Sequence, residues 1–169
     1  MKKIMTLAAV ALVAVAANAQ TFKFGNFNSS KVLREMPEST QAVKELEDLQ
    51  SSYETEISKM GEEYQKKIAD YVAARDSLPE SIANARAEEI QQLEQRIQTF
   101  REQAARDLQQ KQQQKMAPII DKLNKAIQAV GEKNGFTYIF EVSDGGVLYF
   151  SPAQCVDVEP LVRAELGMK

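Results

Sequence analysis

The stretch from Thr40 to Lys133 carries one long apolar pattern, which is interrupted once, at positions 76–81. In its first half the core-type positions advance by three, four and four residues and then repeat that rhythm. These positions are Leu46, Leu49, Tyr53, Ile57, Met60, Tyr64, Ile68, Tyr71 and Arg75. An eleven-residue repeat corresponds to about 3.67 residues per turn, so the stripe runs nearly straight along a helix. The sequence therefore predicts a long amphipathic helix that needs a partner.

The second half of this stretch keeps the same step and supplies the partner. Its core-type positions are Ile90, Leu93, Ile97, Phe100, Leu108, Met116, Ile119, Leu123, Ile127 and Val130. Between the halves, Ser77-x-x-Glu80 has the capping-box spacing, and Pro79 falls in the first turn of a helix, where a missing N–H costs least. We therefore expect a long antiparallel coiled-coil hairpin with its tip at 76–81.

Charge is distributed unevenly along the two arms. Residues 31–58 hold three basic and seven acidic side chains, whereas residues 101–125 hold six basic and three acidic ones. A hairpin folded at Ser77 sets these segments side by side, and opposite charges then either fix the register or leave a basic groove for a ligand. The pairs expected from this register are Asp48 with Arg106 and Glu54 with Arg101.

Residues 1–19 have the three parts of a secretory signal. Lys2 and Lys3 precede an apolar run, and small residues lead to a cleavage point after Ala19. The alternative is a membrane helix, but the run is shorter than the roughly 20 residues that a span needs. We expect the mature chain to be soluble and exported.

The expected mature chain is acidic and poor in reactive groups. Loss of Lys2 and Lys3 leaves 19 of the 21 basic residues against 24 acidic ones, a net charge of −5, which does not favour nucleic acid. The sequence has no His, no Gly-rich phosphate loop and one cysteine, Cys155. We therefore expect no enzyme, no cofactor, no metal and no ATP-driven step. Cys155 is either a small semi-buried side chain or a redox or intermolecular group.

The flanks of the hairpin have the composition of strands and short helices. A strand is expected at 21–27, followed by a short helix that Pro37 ends, with Ser39 or Thr40 capping the first arm. Residues 136–142 and 147–150 are expected to form a β-hairpin around the turn 143–146. Asp157 is expected to cap a last short helix. The fold class is thus α+β and mainly α.

This order of elements resembles the Skp (OmpH-like) family of periplasmic chaperones. The motifs that carry the resemblance are Phe24-Gly25-Asn26-Phe27-Asn28-Ser29-Ser30, Met36-Pro37-Glu38, Phe136-Thr137-Tyr138-Ile139-Phe140 and Val156-Asp157-Val158-Glu159. The resemblance extends over essentially all of the expected mature chain.

The resemblance implies a homotrimer in which 20–38 and 135–169 build a small β-rich body and 39–134 form the arm. Three arms would enclose a cavity that holds unfolded outer-membrane β-barrel precursors. A structural or adaptor protein of the envelope is the alternative. The acidic net charge does not favour direct contact with membrane or lipopolysaccharide. Candidates for the trimer body are Phe24, Phe136, Tyr138, Ile139, Phe140, Val147, Leu148 and Tyr149.

Large adaptable side chains on the arms are candidates for contact with an unfolded client. They are Tyr53, Met60, Tyr64, Tyr71 and Phe100. The same stripe is also typical of the seam between two helices, and the sequence leaves both interpretations open.

The tripeptide Asp76-Ser77-Leu78 fits an Asp-Ser/Thr-apolar pattern of O-glycosylation found in some Gram-negative envelopes. Helix capping is the other explanation for the same residues.

Overall fold

The computed structural model describes residues 22–143 and 145–168. We number its elements in chain order. They are β1 (Phe24–Phe27), α1 (Ser29–Glu35), α2 (Pro37–Ala74), a 3₁₀ turn (Arg75–Ser77), α3 (Glu80–Asn134), β2 (Tyr138–Glu141), β3 (Cys155–Asp157) and α4 (Glu159–Glu165). Two helices of 38 and 55 residues dominate the chain, so the mainly helical α+β class is confirmed.

A proline, and not a capping side chain, stands at the start of each long helix: Pro37 is the first residue of α2, and Pro79 directly precedes α3. Met36 is extended, as a residue before proline prefers. The expected cap by Ser39 or Thr40 is therefore wrong, and the Thr40 hydroxyl instead donates to the Met36 carbonyl at 3.4 Å. At the tip, the carbonyl of Pro79 accepts hydrogen bonds from the amides of Ile82 and Ala83, at 2.9 and 3.0 Å.

The C-terminus of α3 is capped by a glycine and a lysine. Gly135 has a positive φ of 66°, and the Phe136 amide bonds the Gly131 carbonyl at 3.0 Å. This is the reversal that glycine permits at a helix C-terminus. The Lys23 ammonium donates to the Asn134 carbonyl at 2.9 Å, where a cation also offsets the negative end of the helix dipole.

By its internal contacts the chain separates into two compact units. One unit contains the described residues up to Val32 and those from Leu123 onward, and the other runs from Leu33 to Lys122. The last three turns of α3 thus belong to the unit that holds the strands. The second unit consists mainly of α2 and the first part of α3, which form the hairpin.

The hairpin unit buries the apolar stripe that the sequence contains. The most buried positions in it include Leu93, Ile97 and Ile119, and the small residues Ala42 and Ala104 are buried as well. Positions of the α2 stripe from Leu46 to Tyr71 are half-buried. The stripe is therefore the surface through which the two helices pack.

The expected ion pair of Asp48 with Arg106 is not the one that Arg106 makes, because Arg106 pairs with Glu102 of its own helix at 3.6 Å. The Lys67–Glu89 ion pair lies close to the register expected from a fold at Ser77, whereas the bond of Glu45 with Lys115 lies several residues from it. Many registers bring opposite charges together, so charge alone selects none of them. Tyr53 adds contacts that are not ion pairs, because its ring packs on Phe100 with centroids 6.0 Å apart and its hydroxyl bonds Asp107.

The strands form a three-stranded parallel sheet in the order β2-β1-β3. The predicted β-hairpin is wrong, because β2 pairs with β1 and residues 147–150 are not a strand. The third strand is Cys155–Asp157, which pairs with the other edge of β1. The two edges of β1 are therefore occupied by β2 and β3.

One face of the sheet is packed by helices and allows no side chain at Gly25. A Cβ there would lie 2.8 Å from Cγ1 of Val158 and 3.2 Å from Cγ1 of Ile139. Phe27, on the same face, is buried. Val32 of α1 and Val162 of α4 are also fully buried in this unit.

Candidate functional site

The other face of the sheet carries a row of aromatic rings. Side chains of paired residues in a parallel sheet point to the same face, and Phe24 pairs with Tyr138 while Asn26 pairs with Phe140. The ring centroids of Phe24 lie 6.4 Å from Tyr138 and 6.1 Å from Phe140, and those of Tyr138 and Phe140 are 5.9 Å apart. Phe22 extends the row at 6.3 Å from Phe24. We call these four rings the aromatic ladder.

The aromatic ladder is open to solvent. Phe22 and Tyr138 are 62% and 60% exposed, and Phe140 is also exposed. Soluble proteins rarely leave contiguous apolar surface uncovered unless it binds something. The ladder is therefore the first candidate binding surface.

Residues 145–154, which we call the 145–154 loop, add further apolar surface beside the ladder. Leu148 and Tyr149 are 98% and 83% exposed. Together with Phe24 and Phe140 the loop encloses a shallow cavity of about 600 Å³ that reaches Cys155. The ladder and the loop thus form one apolar surface.

The candidates for the trimer body do not all lie on this surface. Phe24, Tyr138, Phe140, Leu148 and Tyr149 lie on it, and half-buried Val147 lines its cavity. Ile139 points to the opposite face of the sheet, where its Cδ1 would be 3.6 Å from a Cβ at Gly131. Phe136 is half-buried beneath the Lys23 ammonium, 4.2 Å from its ring centroid. Ile139 and Phe136 therefore pack within the unit that holds the strands and are not part of the exposed apolar surface.

Cys155 is buried below this surface. Its exposed fraction is 8%, and the side-chain amide of Asn26 lies 3.6 Å from its Sγ and 3.4 Å from its carbonyl oxygen. The interpretation as a small buried side chain therefore agrees with its position.

The five client-contact candidates lie along the seam of the hairpin unit. All of them are half-buried, so each still presents part of its surface. Tyr53 and Phe100 contact each other edge to face. Tyr71 lines a polar cleft of about 350 Å³ with Lys67, Asp70, Arg86, Glu89 and Ile90. Met60 and Tyr64 lie between these two places.

Sequence reasoning missed an apolar groove in the hairpin unit. Its floor includes Pro37, Ala42, Pro118 and Ile119, and its volume is about 600 Å³. Ion pairs of Glu38 with Lys122 and of Glu45 with Lys115 flank it. Pro118 is the residue that could have indicated an irregular helix surface here, since a proline inside a helix removes one backbone donor and disturbs the preceding turn.

The groove's carboxylates stay ionised under mildly acidic conditions. The hydrogen bond from Lys122 lowers the pKa of Glu38, and the bond from Lys115 lowers the pKa of Glu45. In the sheet unit, burial opposes ionisation of Glu141, but the amides of Ser29 and Ser143 outweigh it and lower its pKa.

A family model described as "Outer membrane protein (OmpH-like)" matches residues 23–166. The chain belongs to the OmpH-like family. The match includes both the aromatic ladder beyond Phe22 and the whole hairpin unit.

Two proteins illustrate what this OmpH-like chain is similar to. The chaperone protein Skp of Yersinia enterocolitica is 22% identical over 166 residues, which are 98% of this chain and 100% of that protein. A crystal structure of an OmpH-like protein from Caulobacter crescentus CB15 superposes with a TM-score of 0.73 at 14% identity, over 86% of this chain and 83% of that one. The second comparison shows that the fold is shared.

Two further properties of this OmpH-like chain concern the described residues alone. Across 22–143 and 145–168, no group of three or more His, Cys, Asp or Glu side chains is placed to hold a metal ion. None of the helices in this part of the chain is long and apolar enough to cross a membrane. The predicted signal at 1–19 lies outside the described residues.

Proposed function

We propose that this protein is an ATP-independent holdase chaperone of the periplasm, which keeps unfolded outer-membrane β-barrel precursors soluble. Membership of the OmpH-like family supports the chaperone role, as does the relative named as a chaperone. The predicted signal, cleaved after Ala19, supports export. A holdase needs no nucleotide site, which agrees with a sequence that lacks a Gly-rich phosphate loop.

The single observation that carries the proposal is the uncovered aromatic ladder with the 145–154 loop. Large exposed apolar side chains at adjacent positions fit burial against other copies of the same chain. In the proposed homotrimer, residues 20–38 and 135–169 supply the contacts between copies, and 39–134 supply the arms.

Client binding is proposed for the half-buried side chains of the hairpin. Tyr53, Met60, Tyr64, Tyr71 and Phe100 offer apolar contacts that are individually weak and spread along the arms. Three arms acting on one client gain from effective concentration, so no single strong site is required. The apolar groove at Pro118 adds a further contact of the same kind.

Dilution of a urea-unfolded β-barrel precursor into the mature protein tests this function. We expect light scattering by the precursor to be suppressed without ATP, and to stay suppressed in half-molar salt, because apolar burial persists while exposed charges are screened beyond about 8 Å at physiological ionic strength. The tip reversals Arg75→Glu and Glu80→Lys serve as matched controls that should retain protection.

Each alternative gives a different result in this assay. A structural or adaptor protein would leave precursor aggregation unchanged at every concentration. Loss of protection in half-molar salt, or in both tip reversals, would show that the client is captured through charge and not through apolar burial.

A further inference from the structure

The proposed chaperone function makes no use of the tripeptide Asp76-Ser77-Leu78 at the hairpin tip. The sequence contains seven Asp residues, and Asp76 is the one that directly precedes a Ser or Thr. The single Asp-Ser/Thr-apolar tripeptide of the chain therefore coincides with the turn between its two longest helices.

The backbone at this turn suits an enzyme that modifies an exposed segment. Ser77 is the last residue of the 3₁₀ turn, and Leu78 is extended, with φ −87° and ψ 144°. Both Asp76 and Ser77 are exposed. Pro79 then fixes the backbone before α3 begins. Exposed turns with these properties are where chains tolerate additions.

The hydroxyl of Ser77 is not needed to start the following helix. The Pro79 carbonyl accepts the amides of Ile82 and Ala83, so the expected capping box does not form. Ser77 Oγ donates instead to the Ala74 carbonyl, at 2.7 Å, on an exposed surface. The carbonyl at such a helix end accepts water equally well, so the hydroxyl is released at little cost.

From these observations we propose that Ser77 is the acceptor of an O-linked glycan. Its Oγ attacks the anomeric carbon of a sugar carried on a lipid-linked or nucleotide-linked diphosphate. The bond from that carbon to the diphosphate oxygen breaks, the diphosphate leaves with the electron pair, and the hydroxyl proton passes to a base of the transferase. The Asp76 carboxylate and the Leu78 side chain provide the charge and the apolar contact by which the transferase selects the serine.

This inference is independent of holdase activity and requires only that the chain is exported. A glycan at Ser77 is attached at the exposed tip turn, so it leaves Tyr53, Phe100 and the rest of the hairpin seam unchanged. It would surround the tip with neutral, hydrated groups.

Intact-mass spectrometry of the full mature protein, purified from the envelope of its own organism, tests the inference. The wild-type mass should exceed the polypeptide mass by a whole number of sugar residues, and fragmentation should place the excess on Ser77. Ser77→Ala and Asp76→Ala should lose the excess entirely. Ser81→Ala, a matched serine control four residues away, and Ser77→Thr should both keep it.

A wild-type mass equal to that of the polypeptide overturns the inference, as does an excess that persists in Ser77→Ala. An excess that persists in Asp76→Ala overturns the role given to the carboxylate in selecting the serine. Melting curves of the purified variants identify any loss caused by misfolding, and Ser77→Thr then decides, because it keeps the hydroxyl in place.

Discussion

The hydroxyl of Tyr53 donates a 2.6 Å hydrogen bond to the carboxylate of Asp107 and so joins the two long helices. The bond raises the pKa of Tyr53 above its ordinary value of 10.0, because ionisation would remove the proton that the hydroxyl donates to Asp107 and would also place two negative charges together. Phe100 packs against the edge of the same ring. Tyr53 therefore contributes a polar bond and an aromatic contact to the seam.

We predict that Tyr53→Phe and Asp107→Asn each lower the melting temperature modestly, and that Tyr53→Ala lowers it more. The first two changes remove or weaken only the hydrogen bond, whereas alanine also removes the ring from Phe100. Thermal unfolding followed by circular dichroism provides the measurement. If the effects of Tyr53→Phe and Asp107→Asn add fully in the double variant, the two groups are not coupled.

Zero-length carbodiimide cross-linking should join Glu45 to Lys115 and Glu38 to Lys122. In both cases a carboxylate and an ammonium from opposite arms are in direct contact. Peptide mass spectrometry on a mixture of isotopically light and heavy protein distinguishes links within a chain from links between chains. We expect links within one chain. Mixed light and heavy peptides would mean that the arms exchange between copies.

The helices of this fold could be predicted from sequence, but the individual contacts between them could not. The eleven-residue step and Pro79 locate α2, the tip and α3 within a few residues, because periodicity and proline act locally. Tyr53 contacts both Phe100 and Asp107, and repeated charges do not encode such a fit. Asp48 and Arg106 looked like partners only because opposite charges recur along both arms.

The sheet was harder to predict for a related reason. Residues 147–150 have the composition of a strand, but composition does not specify which edge a strand joins. The parallel order β2-β1-β3 depends on contacts between segments more than 100 residues apart, such as Phe24 with Tyr138 and Phe24 with Cys155. Among the candidates for the trimer body, Phe24, Tyr138 and Phe140 lie in the exposed aromatic ladder, whereas Phe136 and Ile139 do not. Phe22 belongs to the ladder and is not among those candidates.

Gly25→Ala should destabilise the protein by about 1–3 kcal/mol, since the added Cβ would lie 2.8 Å from Cγ1 of Val158 in a packed core. Gly61→Ala is the matched control, because nothing lies within 4 Å of a Cβ at that helical position. Alanine there should stabilise α2 by up to about 1 kcal/mol. Urea unfolding measures both effects, and equal effects of the two changes would contradict the packing described at Gly25.

Glu141 should make the stability of the protein sensitive to acid. Its folded-state pKa lies below the ordinary value of 4.5, so its contribution is complete above that value and is lost as the pH falls through the lowered pKa. Glu141→Gln keeps the shape but loses the charge that accepts the Ser29 and Ser143 amides.

Urea unfolding of the wild type and of Glu141→Gln, at neutral pH and well below pH 4.5, isolates this contribution. The gap between the two proteins should be present at neutral pH and shrink in acid. Other carboxylates with lowered pKa, such as Glu159, affect both proteins alike. A gap that stays constant with pH would show that Glu141 acts through packing alone.

The molar mass of the client complex, measured by light scattering during size-exclusion chromatography, tests the central claim most directly. A urea-unfolded β-barrel precursor diluted into the mature protein should elute with the mass of three chains plus one precursor. Leu148→Asp places a charge on the proposed contact between copies and should give free monomers and an aggregated precursor. Leu148 is almost fully exposed in the single chain, so this change should not affect the fold of one chain. A complex containing one chain, or a wild-type protein that elutes alone as a monomer, would contradict the account.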